Sequence, residues 1–141
     1  GIVFWRRSAM LVGIGVDLVH VPRIARLLQV FRKKFVARAL HPSEAAHFNE
    51  LVSKDQGRAA QFFASRWAVK EAVYKVLSRH ARVPFPSIEV AKLSTGAPTI
   101  VLHGTALEAA DQLGIGATHV SLSHDADYTT AMVVCERKTS G

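Results

Sequence analysis

The segment of about residues 59–78, which contains no glycine or proline, constrains the fold most strongly. Apolar residues recur in it at helical spacing and form one stripe over about five turns: Phe62, Val69, Val73, Val76 and Leu77. Glycine and proline are the residues that most often interrupt a helix, and neither occurs here. The segment therefore predicts one long helix.

A buried strand and a second helix are predicted before the long helix. The run LVGIGVDLV at residues 11–19 mixes β-branched residues with two glycines, which indicates a strand whose backbone another group approaches closely. We expect this strand to end near Asp17. Pro22 then stands at a helix start, and the prediction for this helix is about residues 22–31. Its apolar positions have helical spacing: Ile24, Leu27, Leu28 and Phe31.

The remaining segments mix helix and strand signals. LHPSEAAHFNEL predicts a helix from near Pro42, with Gly57 separating it from the long helix. IEVAKL and TIVLH predict two strands joined by a turn at Gly96, and residues 105–113 predict a helix closed by Gly114. THVSLSH and YTTAMVVC predict adjacent antiparallel strands. Because strands and helices do not alternate regularly, the predicted class is α+β, with an antiparallel sheet and a long helix.

Length and composition favour a single compact domain over residues 11–137. A chain of 141 residues with 49% hydrophobic content buries one core but not two. The start GIVFWRRSAM, residues 1–10, has two arginines and no acid, and is interpreted as a leader or a remnant of expression cloning. Cys135 lies in the apolar run AMVVC and is predicted to be buried and inert. We expect an intracellular protein, mitochondrial if the basic leader is a transit segment and cytoplasmic if the source is bacterial.

The formal net charge of +7 predicts an anionic partner. A nucleic acid, an acidic protein and a polyphosphate all satisfy this expectation. A basic nucleic-acid-binding module is therefore kept as the alternative function, although the sequence has no recognised nucleic-acid motif. A glycine-rich phosphate loop of either common type is also missing from the sequence.

Four ionisable residues follow one another within three turns of the long helix, in ASRWAVKEAVYKVL: Arg66, Lys70, Glu71 and Lys75. Glu71 and Lys75 are separated by four residues, and a solvated ion pair is the simplest interpretation of that spacing. Trp67 and Tyr74 lie on the same flank as Glu71, and this flank is expected to be exposed. Large aromatics beside a carboxylate favour the wall of a cleft or a contact with a partner subunit.

Asp17 supplies a second carboxylate, on the predicted strand. An ionised carboxylate there needs a donor, a cation or water, and helix capping is the alternative role. Magnesium usually takes one or two carboxylates from a protein, so Asp17 and Glu71 together suit a magnesium site, and nearby Lys75 suits phosphoryl transfer. The seven histidines are dispersed and the one cysteine has no partner at ligand spacing, so no zinc site is predicted.

The segment SLSHDADY is expected to form the turn between the last two strands. It contains Ser123, His124, Asp125 and Asp127. Serine and aspartate occur in such turns for backbone reasons alone. His124 is the residue of this segment that would instead contact a phosphate.

Three segments, GIGVDLV with RI following, ASRWAVKEAVYK and VSLSHDADYTTA, resemble the characteristic motifs of the holo-acyl-carrier-protein synthase type of 4'-phosphopantetheinyl transferase. Their order and spacing match, and the resemblance runs from about Val12 to Val134. LHPSE resembles the fungal mitochondrial members. The resemblance implies the fold of that family and transfer of phosphopantetheine from coenzyme A to a serine of apo acyl carrier protein. It also implies dependence on Mg2+ and release of adenosine 3',5'-bisphosphate, in fatty acid biosynthesis or another biosynthetic pathway.

The resemblance also implies roles for individual residues. Asp17 and Glu71 correspond to magnesium ligands, and Lys75 to a residue that assists proton transfer beside the diphosphate. The residues that would help hold coenzyme A are Arg66, Lys70, Ser123 and His124. Arg23 and Arg26 would dock the acidic helix of the carrier protein, which accounts for the net charge without nucleic acid or a membrane. A homotrimer with active sites at subunit boundaries is implied.

One segment departs from the family pattern. Many members follow the catalytic helix with a Gly-Thr-Gly turn near the nucleotide, whereas this chain reads SRHARVPFPS. Arg79, His80 and Arg82 either replace the lost backbone donors with charge or point into solvent.

Overall fold

The computed structural model describes residues 10–139, so all but the last residue of the predicted leader lie outside the described residues. The described chain forms four α-helices and five β-strands in an α+β arrangement, which confirms the predicted fold class. In chain order they are β1 (Leu11–His20), α1 (Val21–Ala39), α2 (Pro42–Lys54), α3 (Gln56–Leu77), β2 (Ile88–Lys92), β3 (Pro98–Leu102), α4 (Gly104–Gln112), β4 (Ile115–Asp125) and β5 (Tyr128–Arg137).

Two antiparallel sheets form within the described residues. The larger has the order β1-β5-β4, so the first and last strands pair directly, with Asp17 opposite Ala131 and Ala131 opposite Leu122. β2 and β3 form a separate hairpin. Gly96 in its turn has a φ of +87°, a conformation that favours glycine. The predicted hairpin and the predicted final strand pair are both confirmed.

The long helix α3 lies at the centre of the core, against β1 and β5. Val69, Val73 and Leu77 of the predicted stripe are buried. Alanines on other sides of the helix are buried as well, so α3 is covered almost all round. A Cβ on Gly15 would lie 1.9 Å from the carbonyl oxygen of Ala72, and only glycine permits this contact between β1 and α3. The predicted close approach to the strand backbone is confirmed.

Helix α1 extends beyond its predicted end. Phe31, the predicted last residue, has a non-helical backbone (φ −123°, ψ 30°) and marks a kink rather than an end. The ring of Phe35 beyond the kink lies 6.2 Å from that of Phe63 and 6.1 Å from that of Trp67. This aromatic contact holds the second half of α1 against α3.

Two further predicted boundaries are wrong. β1 continues past Asp17, because His20 still pairs with Tyr128 of β5. Gly57 lies inside the first turn of α3, and the boundary falls at Asp55, whose side chain accepts a hydrogen bond from the Arg58 backbone N–H at 3.2 Å.

Cys135 in β5 is 1% exposed, and burial raises the pKa of its thiol to about 11. The prediction of a buried, inert cysteine is confirmed. Among residues 10–139, the structure has no helix that is both long and apolar enough to cross a membrane.

Candidate active site

A cavity of about 380 Å³ lies between β1, α1 and α3. Asp17 from β1 and Glu71 from α3 both line it, so the two carboxylates that the sequence singled out meet in one place. Trp67 and Phe35 form apolar wall, and Arg23 of α1 adds a positive charge. The cavity therefore combines two acids, a base and an aromatic lining.

The β1–α3 packing explains why the carboxylates meet. Side chains alternate along a strand, so Gly15 and Asp17 share the face of β1 that is directed toward α3. The missing side chain of Gly15 admits Ala72, and this brings the neighbouring Glu71 to the level of Asp17. The Thr130 hydroxyl donates to the Asp17 carbonyl oxygen at 2.8 Å and holds the strand from the other side.

The electrostatics of the cavity favour a bound cation. Burial raises the pKa of Glu71, the negative charge of Asp17 raises it further, and Lys75 opposes both effects. The lysine thus offsets only part of the repulsion between the acids. Two carboxylates facing a water-accessible cavity are the donor set that magnesium takes from proteins, so the residues fit that ion.

Lys75 contacts β1. Its Nζ donates to the Val16 carbonyl oxygen and lies 3.4 Å from Oδ1 of Asp17. Half of its side chain is exposed, against 19% for Asp17. The sequence offered an exposed pair with Glu71 as the simplest interpretation, whereas in the described chain Lys75 bridges the helix to Asp17. Its charge also acts on Glu71.

The aromatic flank is less exposed than expected. Trp67 is half-buried, with its ring 5.1 Å from that of Phe85 and stacked at 6.3 Å on that of Phe63. Tyr74 lies 5.9 Å from the same Phe85 ring. The expectation of a cleft wall agrees with the place of Trp67 in the cavity lining, and the expected exposure of this flank was wrong.

Arg66 lines a different cleft of about 300 Å³, together with Ser43, Glu89 and Lys92. Its guanidinium carbon lies 4.0 Å from the centroid of the Phe62 ring. The Nε atom is buried and has no hydrogen-bond partner. Burial lowers the pKa of Arg66, opposed by the charge of Glu44. A buried donor without a partner is costly, so this arginine suits an anionic acceptor.

Lys70 is fully buried, contrary to the contact with coenzyme A that the resemblance implied. Its Nζ pairs with Glu44 at 2.5 Å and donates to the Phe85 carbonyl oxygen at 3.2 Å. Glu44 also accepts from the backbone N–H groups of His41 and Val90. Burial lowers the pKa of Lys70, and the charge of Glu44 opposes this. Contact with a nucleotide would require this ion pair to rearrange.

Ser123 and His124 belong to strand β4 rather than to a turn. They pair with Thr130 and Thr129 of β5, and the turn itself contains Ala126, which has a φ of +50°. Both side chains are exposed and neither lines the cavity of Asp17 and Glu71. A role in holding coenzyme A therefore requires a site other than this cavity.

The basic segment after α3 divides into two parts. Arg79 Nη2 donates to the Val12 carbonyl oxygen at 2.6 Å, beneath Gly13, and so ties the end of α3 to β1. His80 and Arg82 are exposed. For Arg79, neither interpretation left open by the sequence holds, because its guanidinium is hydrogen-bonded to the backbone of β1. Arg26 of α1 is exposed, one turn after Arg23.

Three further residues with metal-binding side chains meet away from this cavity. His41, Glu89 and His103 place their ligand atoms within 4.8 Å of one another. They come from three distant segments, so the dispersed histidines gave no spacing signal. The one local signal that could have related the two histidines is that His41 and His103 each immediately precede a helix.

Comparisons with known proteins agree on one family. A profile of the 4'-phosphopantetheinyl transferase superfamily matches residues 13–133. A holo-[acyl-carrier-protein] synthase of Koribacter versatilis is 36% identical over 129 residues, covering 90% of this chain and 99% of its own length. The crystal structure of the Plasmodium yoelii holo-ACP synthase superposes with a TM-score of 0.81 at 26% identity, over 92% of this chain and 97% of that one. The Helicobacter pylori synthase in complex with coenzyme A superposes with a TM-score of 0.69 at 33% identity, over 87% and 99%.

Proposed function

The chain belongs to the 4'-phosphopantetheinyl transferase superfamily, and from this we infer that it transfers the 4'-phosphopantetheine group of coenzyme A to a serine of apo acyl carrier protein. It is an enzyme of the holo-[acyl-carrier-protein] synthase type. The observation that carries the assignment to particular residues is the meeting of Asp17 and Glu71 in one cavity, with Lys75 at its edge.

Asp17 and Glu71 hold a magnesium ion in this proposal. Support comes from the cavity that the two carboxylates share and from the pKa of Glu71, which burial raises and the nearby charge of Asp17 raises further. When bound, the ion neutralises the diphosphate of coenzyme A and polarises its phosphorus. Without such a cation, the negative charges of the two carboxylates would repel the diphosphate.

The transfer forms one phosphorus–oxygen bond and breaks another. The carrier serine oxygen attacks the β-phosphorus of coenzyme A and loses its proton, and the diphosphate bridging oxygen leaves with adenosine 3',5'-bisphosphate. Lys75 reaches the same edge of the cavity as Asp17, and we assign it to hold a phosphate oxygen and to assist movement of the serine proton. Because the only cysteine is buried and inert, positioning and electrostatics supply the rate.

Coenzyme A contacts are proposed for Arg66, Ser123 and His124. The buried Nε of Arg66 without a partner supports an anion there. Ser123 and His124 are exposed on β4 and would serve the nucleotide of a neighbouring subunit, as the family resemblance implied. In this proposal Lys70 stabilises the fold and does not contact coenzyme A, since its ammonium forms an ion pair with Glu44.

The acidic carrier protein docks on α1. This helix carries arginines and lysines but no acidic residue. Arg23 is exposed and lines the catalytic cavity, and Arg26 follows one turn later. Positive charge at the cavity entrance steers an acidic partner toward it, so docking and catalysis share one face.

A homotrimer is proposed from the outer face of the larger sheet. Ile14, Val16 and Leu18 alternate along β1 on the face opposite α3 and are 58–65% exposed. Met132, opposite Val16 in β5, is 50% exposed. An apolar patch of this kind marks a protein contact, and a closed symmetric oligomer would cover it on every copy.

The mitochondrial and cytoplasmic alternatives, like the fungal resemblance of LHPSE, stay predictions.

Stoichiometry of the products tests the proposal. With coenzyme A, Mg2+ and apo acyl carrier protein, adenosine 3',5'-bisphosphate measured by chromatography should equal the carrier consumed. Removing magnesium with a chelator should stop both, and excess magnesium should restore both. Nucleic-acid binding with a steep salt dependence, unaffected by coenzyme A, and no bisphosphate release would favour the alternative function.

A further inference from the structure

His41, Glu89 and His103 form a compact cluster outside the catalytic cavity. His41 precedes α2, Glu89 lies on β2, and His103 precedes α4. Nε2 of His103 lies 2.9 Å from Oε1 of Glu89, and Nδ1 of His41 lies 3.5 Å from Oε2. The two imidazole rings stack, with centroids 4.8 Å apart and planes at 17°. One carboxylate therefore faces two parallel imidazoles, one at each oxygen.

These separations suit a small divalent cation. Zinc–nitrogen and zinc–oxygen bonds of about 2.0–2.2 Å place neighbouring ligands of a tetrahedral site about 3.3 Å apart. The two nitrogen–oxygen distances in the cluster, 2.9 and 3.5 Å, lie on either side of that value. All three ligand atoms lie within 4.8 Å of one another, and rotation of the two imidazoles out of their stacked arrangement would direct both lone pairs at one ion.

We propose that His41, Glu89 and His103 bind one zinc-type divalent cation, with water in the remaining position. Two imidazoles and one carboxylate are a known zinc ligand set, whereas magnesium prefers oxygen ligands. This donor set therefore differs in kind from that of Asp17 and Glu71, and the proposal does not depend on the function assigned to that pair.

Neighbouring groups orient the ligands. The Ser43 hydroxyl donates to Oε2 of Glu89 at 2.6 Å and lies 2.9 Å from Nδ1 of His41. The Ser43 backbone N–H donates to the same Nδ1 at 3.2 Å, a geometry that requires a lone pair on that nitrogen. A lone pair is what a metal ligand supplies, so the ion and the N–H compete for it. The Ser43 hydroxyl thus supports the Glu89 carboxylate, as such ligands commonly are supported, whereas the Ser43 N–H must release Nδ1 when the ion binds.

The bound ion would fasten three segments together. His41 lies just before α2, His103 lies just before α4 and Glu89 lies on β2. The three segments meet at the cluster. A cation that binds the folded chain in preference to the unfolded chain stabilises it, and the melting temperature then rises with the logarithm of the cation concentration above Kd. The predicted role is therefore a stabilising clamp beside the cleft of Arg66, whose lining includes Glu89.

Cobalt(II) absorbance tests the site, because a four-coordinate site gives visible bands that a site of oxygen ligands and water does not match. The full chain is titrated with Co2+ in excess Mg2+, and Zn2+ is then added to displace the bands. We expect one equivalent of Co2+ to bind with visible absorbance and to raise the melting temperature. The Asp17→Asn variant should show the same spectrum, since the catalytic pair is not involved.

Three ligand variants and one matched control complete the test. His103→Gln removes no helix cap, because His103 makes no side-chain cap hydrogen bond, and His41→Asn keeps an acceptor at the cap position. Each of these variants, and Glu89→Gln, should weaken Co2+ binding at least 10- to 100-fold. Removal of a group that only hydrogen-bonds to a metal ligand already lowers metal affinity by about this factor, and these variants remove a ligand itself. His119→Gln is the control, since His119 pairs with Glu136 at 3.1 Å in an exposed pair that lies outside the cluster.

Retention of the wild-type spectrum by the folded His103→Gln and Glu89→Gln variants would overturn the proposal. It would also be overturned if the wild-type chain gave no cobalt bands and no rise in melting temperature with Co2+ or Zn2+. The cluster would then be a hydrogen-bonded group that ties three segments together without an ion.

Discussion

Nζ of Lys75 lies 3.4 Å from Oδ1 of Asp17, although 58 residues separate the two in the sequence. The same ammonium donates to the carbonyl oxygen of Val16, so α3 is attached to β1 at the point where the two carboxylates of the proposed site meet. Gly15 makes this junction possible, because any side chain there would collide with Ala72. The packing of one strand on one helix thus positions the proposed site.

Replacing Lys75 should impair catalysis without unfolding the chain. Lys75→Met removes a group assigned to proton movement, and such groups contribute about 10²–10⁴-fold to rate. Its side chain is half exposed, so the free energy of unfolding should change by less than about 0.5 kcal/mol. Steady-state kinetics and thermal unfolding of the same preparation check both expectations. An unchanged kcat would remove Lys75 from the site, and a large loss of stability would make its role structural.

Glu71→Gln should alter both pH dependence and the response to magnesium. Since folding raises the pKa of Glu71, its contribution to stability is fully present below the usual glutamate pKa and is lost as pH rises through the raised value. Without Mg2+, the glutamine variant should therefore be more stable than the wild type at neutral pH but not in acid. Added Mg2+ should raise the melting temperature of the wild type alone. Equal magnesium stabilisation of both proteins would place the ion elsewhere.

Lys70 and Lys75 offer a matched comparison on one helix. Lys70→Met leaves Glu44 buried without its cation and should cost about 3–5 kcal/mol in the free energy of unfolding, far more than Lys75→Met. Denaturant unfolding measures this difference. At a temperature where the variant stays folded, its KM for coenzyme A should be unchanged. Unchanged stability with a raised KM would instead support the contact with coenzyme A that the family resemblance implied.

The exposed face of the larger sheet should control assembly. Val16→Glu places a charge in the centre of the apolar patch and should convert trimers to monomers, as measured by light scattering during size-exclusion chromatography. Leu107→Glu makes a similar change on α4, where the leucine is 47% exposed, and should leave the oligomer intact. Trimers of the Val16→Glu variant would show that another surface holds the subunits together.

Arg23→Glu should weaken capture of the carrier protein while leaving coenzyme A binding nearly intact. The substitution reverses the charge at the entrance of the cavity, where an acidic partner is expected to dock. Arg58→Glu makes the same charge change at the start of α3, outside the cavity lining, and serves as the control. Titration calorimetry with each ligand separates the two affinities. A parallel fall in both would contradict the assignment of α1.

The sequence predicted the elements better than their limits. The stripe in α3 and the alternation in β4 follow from periodicity, which local residues determine. The kink at Phe31 was not predictable in this way, since the contacts of Phe35 with Phe63 and Trp67 hold the helix beyond it. β1 continues past Asp17 for a similar reason, because its pairing with β5 comes from the far end of the chain.

For the site, the types of residue in the sequence indicated the chemistry, but the sequence did not show which distant residues lie close together in the fold. Asp17 and Glu71 could be paired from the chemistry of magnesium, and the two glycines of β1 predicted a close approach. The burial of Lys70 depends on Glu44, which lies 26 residues away and gave no signal. The cluster of His41, Glu89 and His103 likewise exists only after three segments have packed together.

Intact mass spectrometry of an apo acyl carrier protein tests the central claim most directly. The carrier is incubated with coenzyme A, Mg2+ and the wild-type chain, or with the Asp17→Ala or Glu71→Ala variant. We predict a gain of one phosphopantetheine group with the wild type and no gain with either variant under the same conditions. If several carriers gain no mass from folded wild-type protein with bound coenzyme A, the assigned reaction is wrong. A gain of mass with both variants would instead remove the two carboxylates from the mechanism.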